Sequence, residues 1–525
     1  MSRIQVLDCT LRDGGYCNEW RFLQENIHKI INGLVEADVD IIECGFLTDR
    51  VVYDKDVSKF TSVEELAAFI PENRANKLFV CMTNYGEYDP EKLPACGENT
   101  PDGLRVAFHK KDVIPALALC EQVKAKGYKV FVQAMVSLSY SDEEFLSLIR
   151  RVNDLKPYAF YIVDSFGMMK RRDLLRLFRL VEENLADGIK IGFHSHNNMQ
   201  LAYSNAQALV ELGTDRDLII DASIYGMGRG AGNLNTELFV EYLNDHIGTN
   251  YQLKPLLTVI DETLSAFYAR NYWGYSLPNY LSAKHNVHPN YANHLDSKKT
   301  LTVENMDEIF SMINEEKRCE FDRAYIEELY GKYMATGAVK EARLNTLTER
   351  IRGKQVLIIA PGKSSVQEKD TILRYADQED VVTISINFDY PEIDTEFIFL
   401  SNLRRFRELD ESKRQKCIVT SNIPAMDVYL QTKYSSLINS VEAVKDNAGL
   451  MLIKLLISLG AGKILIAGMD GYSVDPNENF ADQKMSFYAK KAALEAQNEG
   501  MCRVLQEYAG QIDIALVTTP RHVTI

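Results

Sequence analysis

A chain of 525 residues, 46% apolar and 25% charged, is longer than one hydrophobic core ordinarily supports and reads as a globular protein of two domains. Its 74 acidic against 59 basic side chains leave a net charge of −15, and Coulomb repulsion excludes nucleic acid and anionic membrane as partners. No apolar run approaches the ~20 residues of a membrane span, the N-terminus enters a strand with no leader-like stretch, and nine scattered cysteines without CxxC spacing predict reduced thiols in a cytoplasmic protein.

From residue 1 to about 246, short apolar runs alternate with amphipathic stretches. Strands are expected at 4–8, 39–45, 77–83, 104–108, 128–136, 159–164, 189–194 and 218–224. Helices are expected at 25–37, 62–70, 112–126, 142–155, 171–185, 199–212 and 235–246, with a poorer one at 88–93. Eight such units in this length have the rhythm of a (β/α)₈ barrel. A doubly wound sheet would carry a phosphate fingerprint after its first strand, where Arg12-Asp13 stands instead.

Barrel chemistry gathers at the carboxyl ends of the strands. Arg12 and Asp13 follow strand one, Glu43 ends strand two, His109 follows four, Ser137 lies after five, Asp164 ends six, and His194 and His196 end seven. The two histidines sit at i and i+2, a spacing that points both to one face of a strand. One carboxylate and two imidazoles form a mixed oxygen and nitrogen set. Such a set leaves positions for water and substrate and suits Mn²⁺ or Mg²⁺, with Co²⁺ or Zn²⁺ as further choices. Asp13, His194 and His196 are therefore the expected ligands, and His109, Ser137 and Asp164 the expected substrate contacts.

Leu11-Arg12-Asp13-Gly14, Ile42-Glu43-Cys44-Gly45-Phe46, His194-Ser195-His196-Asn197-Asn198 and Gly230-Ala231-Gly232-Asn233 together resemble the DRE-TIM metallolyases, and within them the 4-hydroxy-2-oxovalerate aldolase-like branch. The resemblance covers roughly residues 1–295. It implies a metal that draws off the charge of a pyruvate enolate, Arg12 beside the enolate oxygen, Glu43 orienting Arg12 or a metal-bound water, and Asn233 as a further ligand or its support. Where the branch places a histidine base, this chain has Tyr16, and a phenol is a poor base at neutral pH. Tyr16, His109, Tyr291 and His288 are the candidates for the proton acceptor; the last two lie in a segment resembling one that closes over the site in that branch.

Residues 1–292 are thus expected to form the barrel, 293–352 a charged helical extension, and 353–525 a Rossmann-like three-layer α/β domain with strands at 356–360, 381–387, 397–401, 418–421, 464–468 and 514–518. Gly362, Lys363 and Ser364 after its first strand are expected to hold a phosphate. Parts of this domain loosely resemble nucleotide-sugar-binding sialyltransferase-like domains, which implies a nucleotide-linked sugar as partner and a place in surface-carbohydrate metabolism.

The activity expected is that of a metal-dependent aldolase, a homo-oligomer acting on a 2-oxo acid and an aldehyde. Two alternatives stand beside it: a Claisen synthase using an acyl-CoA, and a nucleotide-sugar-binding or transferase protein with an accessory barrel.

Overall fold

Eight parallel strands close into a ring: β1 Ile4–Asp8, β2 Ile41–Leu47, β3 Leu78–Asn84, β4 Gly103–Phe108, β5 Lys129–Ala134, β6 Ala159–Asp164, β7 Lys190–Ser195 and β8 Leu218–Ala222. Each pairs with its neighbours in sequence, β8 pairs with β1, and the pairs Leu7–Ile41 and Asp8–Ile42 join β1 to β2. These strands are apolar almost throughout because both of their faces are covered. Leu7, Ile41, Val80, Phe131, Tyr161 and Ile219 alternate into the ring and form one buried cluster. Val6, Ile42, Phe79, Val132, Ile162 and Ile220 point outward to a larger core shared with the surrounding helices.

The helices follow the sequence rhythm. Ser141 and Glu144 form a capping box that starts Asp142–Leu155, and Phe145, Leu148, Ile149 and Val152 at helical spacing form its buried stripe. After β3 the chain makes only the 3₁₀ turn Pro90–Lys92, in keeping with the proline there.

The computed structural model describes residues 3–298, 300–335, 343–425, 427–487, 489 and 491–525. By contact it divides into two compact units, Met1–Asn293 with Asn314–Phe321, and His294–Ile313 with Asp322–Ile525. Within 293–352, residues 314–321 thus belong with the barrel and the flanking stretches with the second unit. Among the described residues no helix is long and apolar enough to cross a membrane.

The second unit is built on a seven-stranded, all-parallel sheet: β9 Gln355–Ile359, β10 Val381–Ile386, β11 Phe397–Leu400, β12 Cys417–Thr420, β13 Leu430–Thr432, β14 Lys463–Ala467 and β15 Asp513–Leu516. Their order is β13-β12-β11-β10-β9-β14-β15, so the winding reverses between β9 and β14. Sequence reading finds six of these strands and misses β13, whose three residues are too few to display a period of two. The long helix Lys491–Ala509 precedes β15 and lies behind the 3₁₀ turn Gln483–Met485 in sequence.

Candidate metal centre

Asp13, His194 and His196 come together at the carboxyl end of the barrel, with ligand atoms all within 4.8 Å of one another and each side chain buried. Asp13 ends the single helical turn Thr10–Asp13 that follows β1. His194 lies in β7 and His196 one residue beyond it. The two imidazoles stand edge to face, 5.2 Å between centroids.

Nδ1 of His194 meets Asp221 Oδ2 at 2.9 Å, which leaves Nε2 as the lone-pair atom. His196 Nδ1 is buried with no hydrogen-bond partner among the described residues and lies 3.7 Å from Asp13 Oδ2. Burial pulls the His196 pKa down to about 3, so its ring is neutral at physiological pH. Burial by itself would raise the Asp13 carboxyl, but Arg12, His196 and His194 outweigh it and hold the group well below the usual carboxylate range. Asn233 donates Nδ2–H to Asp13 Oδ2 at 2.8 Å, and its buried Oδ1 has no partner among the described residues. The Asp13 carboxylate, the two imidazoles and the Asn233 amide oxygen converge, and His196 Nδ1 and Asn233 Oδ1 have no hydrogen-bond partner among the described residues. That set fits a divalent cation.

The loop after β8 closes round this cluster. His196 and Asn233 form an isolated antiparallel bridge, and Asn198 receives Ala231 N–H while giving its own amide to Phe166 O. Gly228 is required by close approach: a Cβ there would lie 2.3 Å from Asn233 Nδ2 and 2.8 Å from Asp13 Oδ2.

Behind the cluster runs a buried series of alternating charges. Arg12 reaches Asp13 with one nitrogen and Glu43 Oε2 with Nε, at 2.8 Å. Arg105, from the middle of β4, gives Nη1–H to the same Glu43 oxygen at 2.8 Å and Nη2–H to Asp221, which in turn holds His194. Arg105 is among the largest fully buried side chains of the described residues. Burial would lower its pKa, but Asp221 and Glu43 raise it beyond the ordinary arginine value. Arg105 and Asp221 are missed by sequence reading, although a charge in the middle of an apolar barrel strand is itself the signal, because it must be paired.

At the rim, the Arg229 guanidinium lies 5.3 Å over the Tyr16 ring, donates to Ser165 O, and keeps Nε buried without a partner among the described residues. It too is missed by sequence reading. Burial raises the Tyr16 pKa further above the phenol value, with Arg229 opposing. His288 packs edge-on against Phe166 and accepts Asn290 N–H at Nδ1; burial, then Arg229, His109 and His196, lower its pKa. His109 is half-buried, and its pKa is lowered by burial against the pull of Glu320.

Other expected residues are engaged elsewhere. Tyr291 is fully buried, with its hydroxyl shared between the carbonyls of Lys317 and Glu320, so it anchors the segment Asn314–Phe321 and has no proton to spare. Ser137 donates to Ala134 O and accepts Val163 N–H, tying two strands. Asp164 takes the amides of Met168 and Met169, stabilising a turn. In the second unit, the Ser364 amide and hydroxyl both go to Asp470, Lys363 is held by Asn477 O, and a Cβ on Gly362 would strike Gly468 O at 2.2 Å. An internal carboxylate therefore occupies the place expected for a phosphate.

Residues 109–261 match the HMGL-like family model. The 4-hydroxy-2-oxovalerate aldolase of Geobacillus genomosp. 3 is 29% identical over 247 residues, 46% of this chain and 70% of that protein. The oxaloacetate decarboxylase of Mycobacterium tuberculosis (strain ATCC 25618 / H37Rv) is 26% identical over 239 residues, 45% of this chain and 69% of the relative. Among solved structures, a pyruvate carboxylase of Rhizobium etli superposes with a TM-score of 0.50 at 15% identity, covering 64% of this chain and 36% of that one, a likeness of fold alone.

Proposed function

We propose that the protein is a divalent-metal-dependent carbon–carbon lyase of the DRE-TIM metallolyase kind that cleaves a 4-hydroxy-2-oxo acid through a pyruvate enolate, a reading supported by the match of residues 109–261 to the HMGL-like family model. The observation that carries the reading is the convergence of Asp13, His194 and His196 beside an arginine already fixed by two carboxylates. Asp13, His194 and His196, with Asn233 in support, would hold Mn²⁺ or Mg²⁺, which when bound polarises the 2-oxo group as a Lewis acid.

The protein's own groups supply the rest. Arg12 keeps Nη2 buried and without a partner among the described residues, a donor for the oxygen on which charge develops, and its ion pairs hold it there before the reaction begins. Arg229, with its unpartnered Nε at the rim, receives the substrate carboxylate. Cleavage needs the 4-hydroxyl proton removed. Tyr16 is protonated at neutral pH and serves as a donor. His288 accepts a main-chain N–H at Nδ1, so its other nitrogen carries the proton. His109, neutral and half-buried, is left as the acceptor.

Loss of CO₂ from oxaloacetate would give the same enolate, and the decarboxylase relative favours that as the second reading. The test is deuterium exchange into the pyruvate methyl group, followed by NMR with Mn²⁺ and an EDTA control. Metal-dependent exchange that disappears in Asp13→Ala is expected. Undiminished exchange in Asp13→Ala would overturn the site, and no exchange in a wild-type protein that demonstrably binds Mn²⁺ would transfer the reading to acyl-CoA condensation.

A further inference from the structure

The second unit holds a crevice of about 240 Å³ that takes no part in the chemistry above. It opens where the strand order reverses. Pro361 and Gly362 after β9, Asn387 after β10, Asn402 after β11 and Met469 after β14 all line it. In open parallel sheets the crevice outside the carboxyl ends of the strands at such a reversal is where ligands bind.

Three features of its lining define a chemistry. On one side stand Arg404, Arg405 and Lys484. Arg405 is paired with Glu408 at 2.8 Å, whereas Arg404 and Lys484 are exposed and have no carboxylate partner among the described residues. Asp446 and Asp470 also line the crevice but are engaged by the Tyr330 hydroxyl and by Ser364, so in a chain carrying a net charge of −15 the two cations without a carboxylate partner form an anion site. Elsewhere Tyr472, Phe480 and Phe487 line the crevice as a ring cluster, with Tyr472 and Phe487 centroids 5.7 Å apart and Phe480 and Phe487 6.0 Å apart. They offer faces on which a planar group can stack. Between these regions, Asn387 Oδ1 and Gln497 Oε1 are buried with no donor among the described residues. An unsatisfied buried acceptor is costly, so the occupant must bring N–H or O–H groups.

A bare phosphate brings no donors and no ring, and an aromatic acid brings too few hydroxyls. We propose that this crevice binds a nucleoside phosphate, with the phosphate on Arg404, Arg405 and Lys484, the base against the aromatic cluster, and base or ribose donors on Asn387 and Gln497. The phosphate does not lie on the Gly362-Lys363-Ser364 turn, because Asp470 already fills it.

Isothermal titration of the full chain with ADP, GDP, CDP and UDP, and with inorganic pyrophosphate as the ligand lacking a base, tests this. Saturable binding of at least one nucleotide is expected. Arg404→Ala and Lys484→Ala should each weaken it about tenfold, the size of one charged hydrogen bond. Phe487→Leu should weaken the nucleotide and leave pyrophosphate unaffected. The far-ultraviolet spectrum and melting profile of Arg404→Ala should match wild type, showing that the fold is intact whatever the barrel's substrate. The proposal is overturned if no nucleotide binds at 1 mM, if pyrophosphate binds as tightly as every nucleotide, or if the Arg404 and Lys484 variants bind like wild type.

Discussion

Arg12 and Arg105 meet on a single oxygen, Oε2 of Glu43, each at 2.8 Å. Two guanidinium groups thus share one carboxylate inside the barrel. The repulsion is offset because Arg12 also holds Asp13 and Arg105 also holds Asp221. Arg105→Leu would leave Glu43 and Asp221 buried beside too little positive charge. A loss of about 3–5 kcal/mol is expected, measured as a lower denaturant midpoint, with any folded fraction slow because Arg12 is no longer held. Wild-type stability in this variant would show that the series is dispensable.

Asp221 fixes which nitrogen of His194 is free. Asp221→Asn keeps the shape but offers a weaker, neutral acceptor, so the tautomer and the basicity of Nε2 are less well set. Mn²⁺ affinity of the folded protein should fall about 10–100-fold, read by titration calorimetry, beside some loss of stability because Arg105 keeps only Glu43 as its ionised partner. An unchanged affinity would mean that His194 does not bind through Nε2.

Gly228→Ala should uncouple fold from site. The added methyl would press on Asn233 Nδ2 and Asp13 Oδ2, both in the centre itself. The far-ultraviolet spectrum and melting profile should stay close to wild type while metal-induced stabilisation, ordinarily about 2.7 kcal/mol at a hundredfold excess over Kd, is lost.

Much of this arrangement is legible in the chain alone. Strands covered on both faces read as unbroken apolar runs, so Leu218-Ile219-Ile220 stands out, and His194 with His196 shows its spacing directly. What escapes is pairing across the ring. Arg105 and Asp221 lie 116 residues apart, and their partnership follows from closure of the barrel rather than from any local pattern. Ser137 and Asp164 mislead for the opposite reason: polar residues at strand ends serve turns as readily as substrates, and only the hydrogen bonds distinguish the two uses.

Asp164 also provides a pH signature. Burial raises its pKa from 3.8 to about 7, so between those values the folded protein retains a proton that the unfolded chain has lost. Its stabilising contribution is complete below about pH 4 and disappears as pH rises through 7, by on the order of 4 kcal/mol at 1.36 kcal/mol per pKa unit. Asp164→Asn does not titrate. Its denaturant stability relative to wild type should therefore improve from pH 4.5 to pH 8, the other buried groups cancelling in the comparison; a constant difference would contradict the shift.

The buried series has a consequence for what the barrel can hold. Counted by formal charge, Arg12 and Arg105 balance Glu43 and Asp221, and Arg229 at the rim balances Asp13, so these six side chains sum to zero. Under the proposed function a divalent ion would make the site doubly positive. The enolate of pyruvate, with its carboxylate, is doubly negative, whereas pyruvate itself carries one charge; the site would then reach neutrality only with the enolate inside.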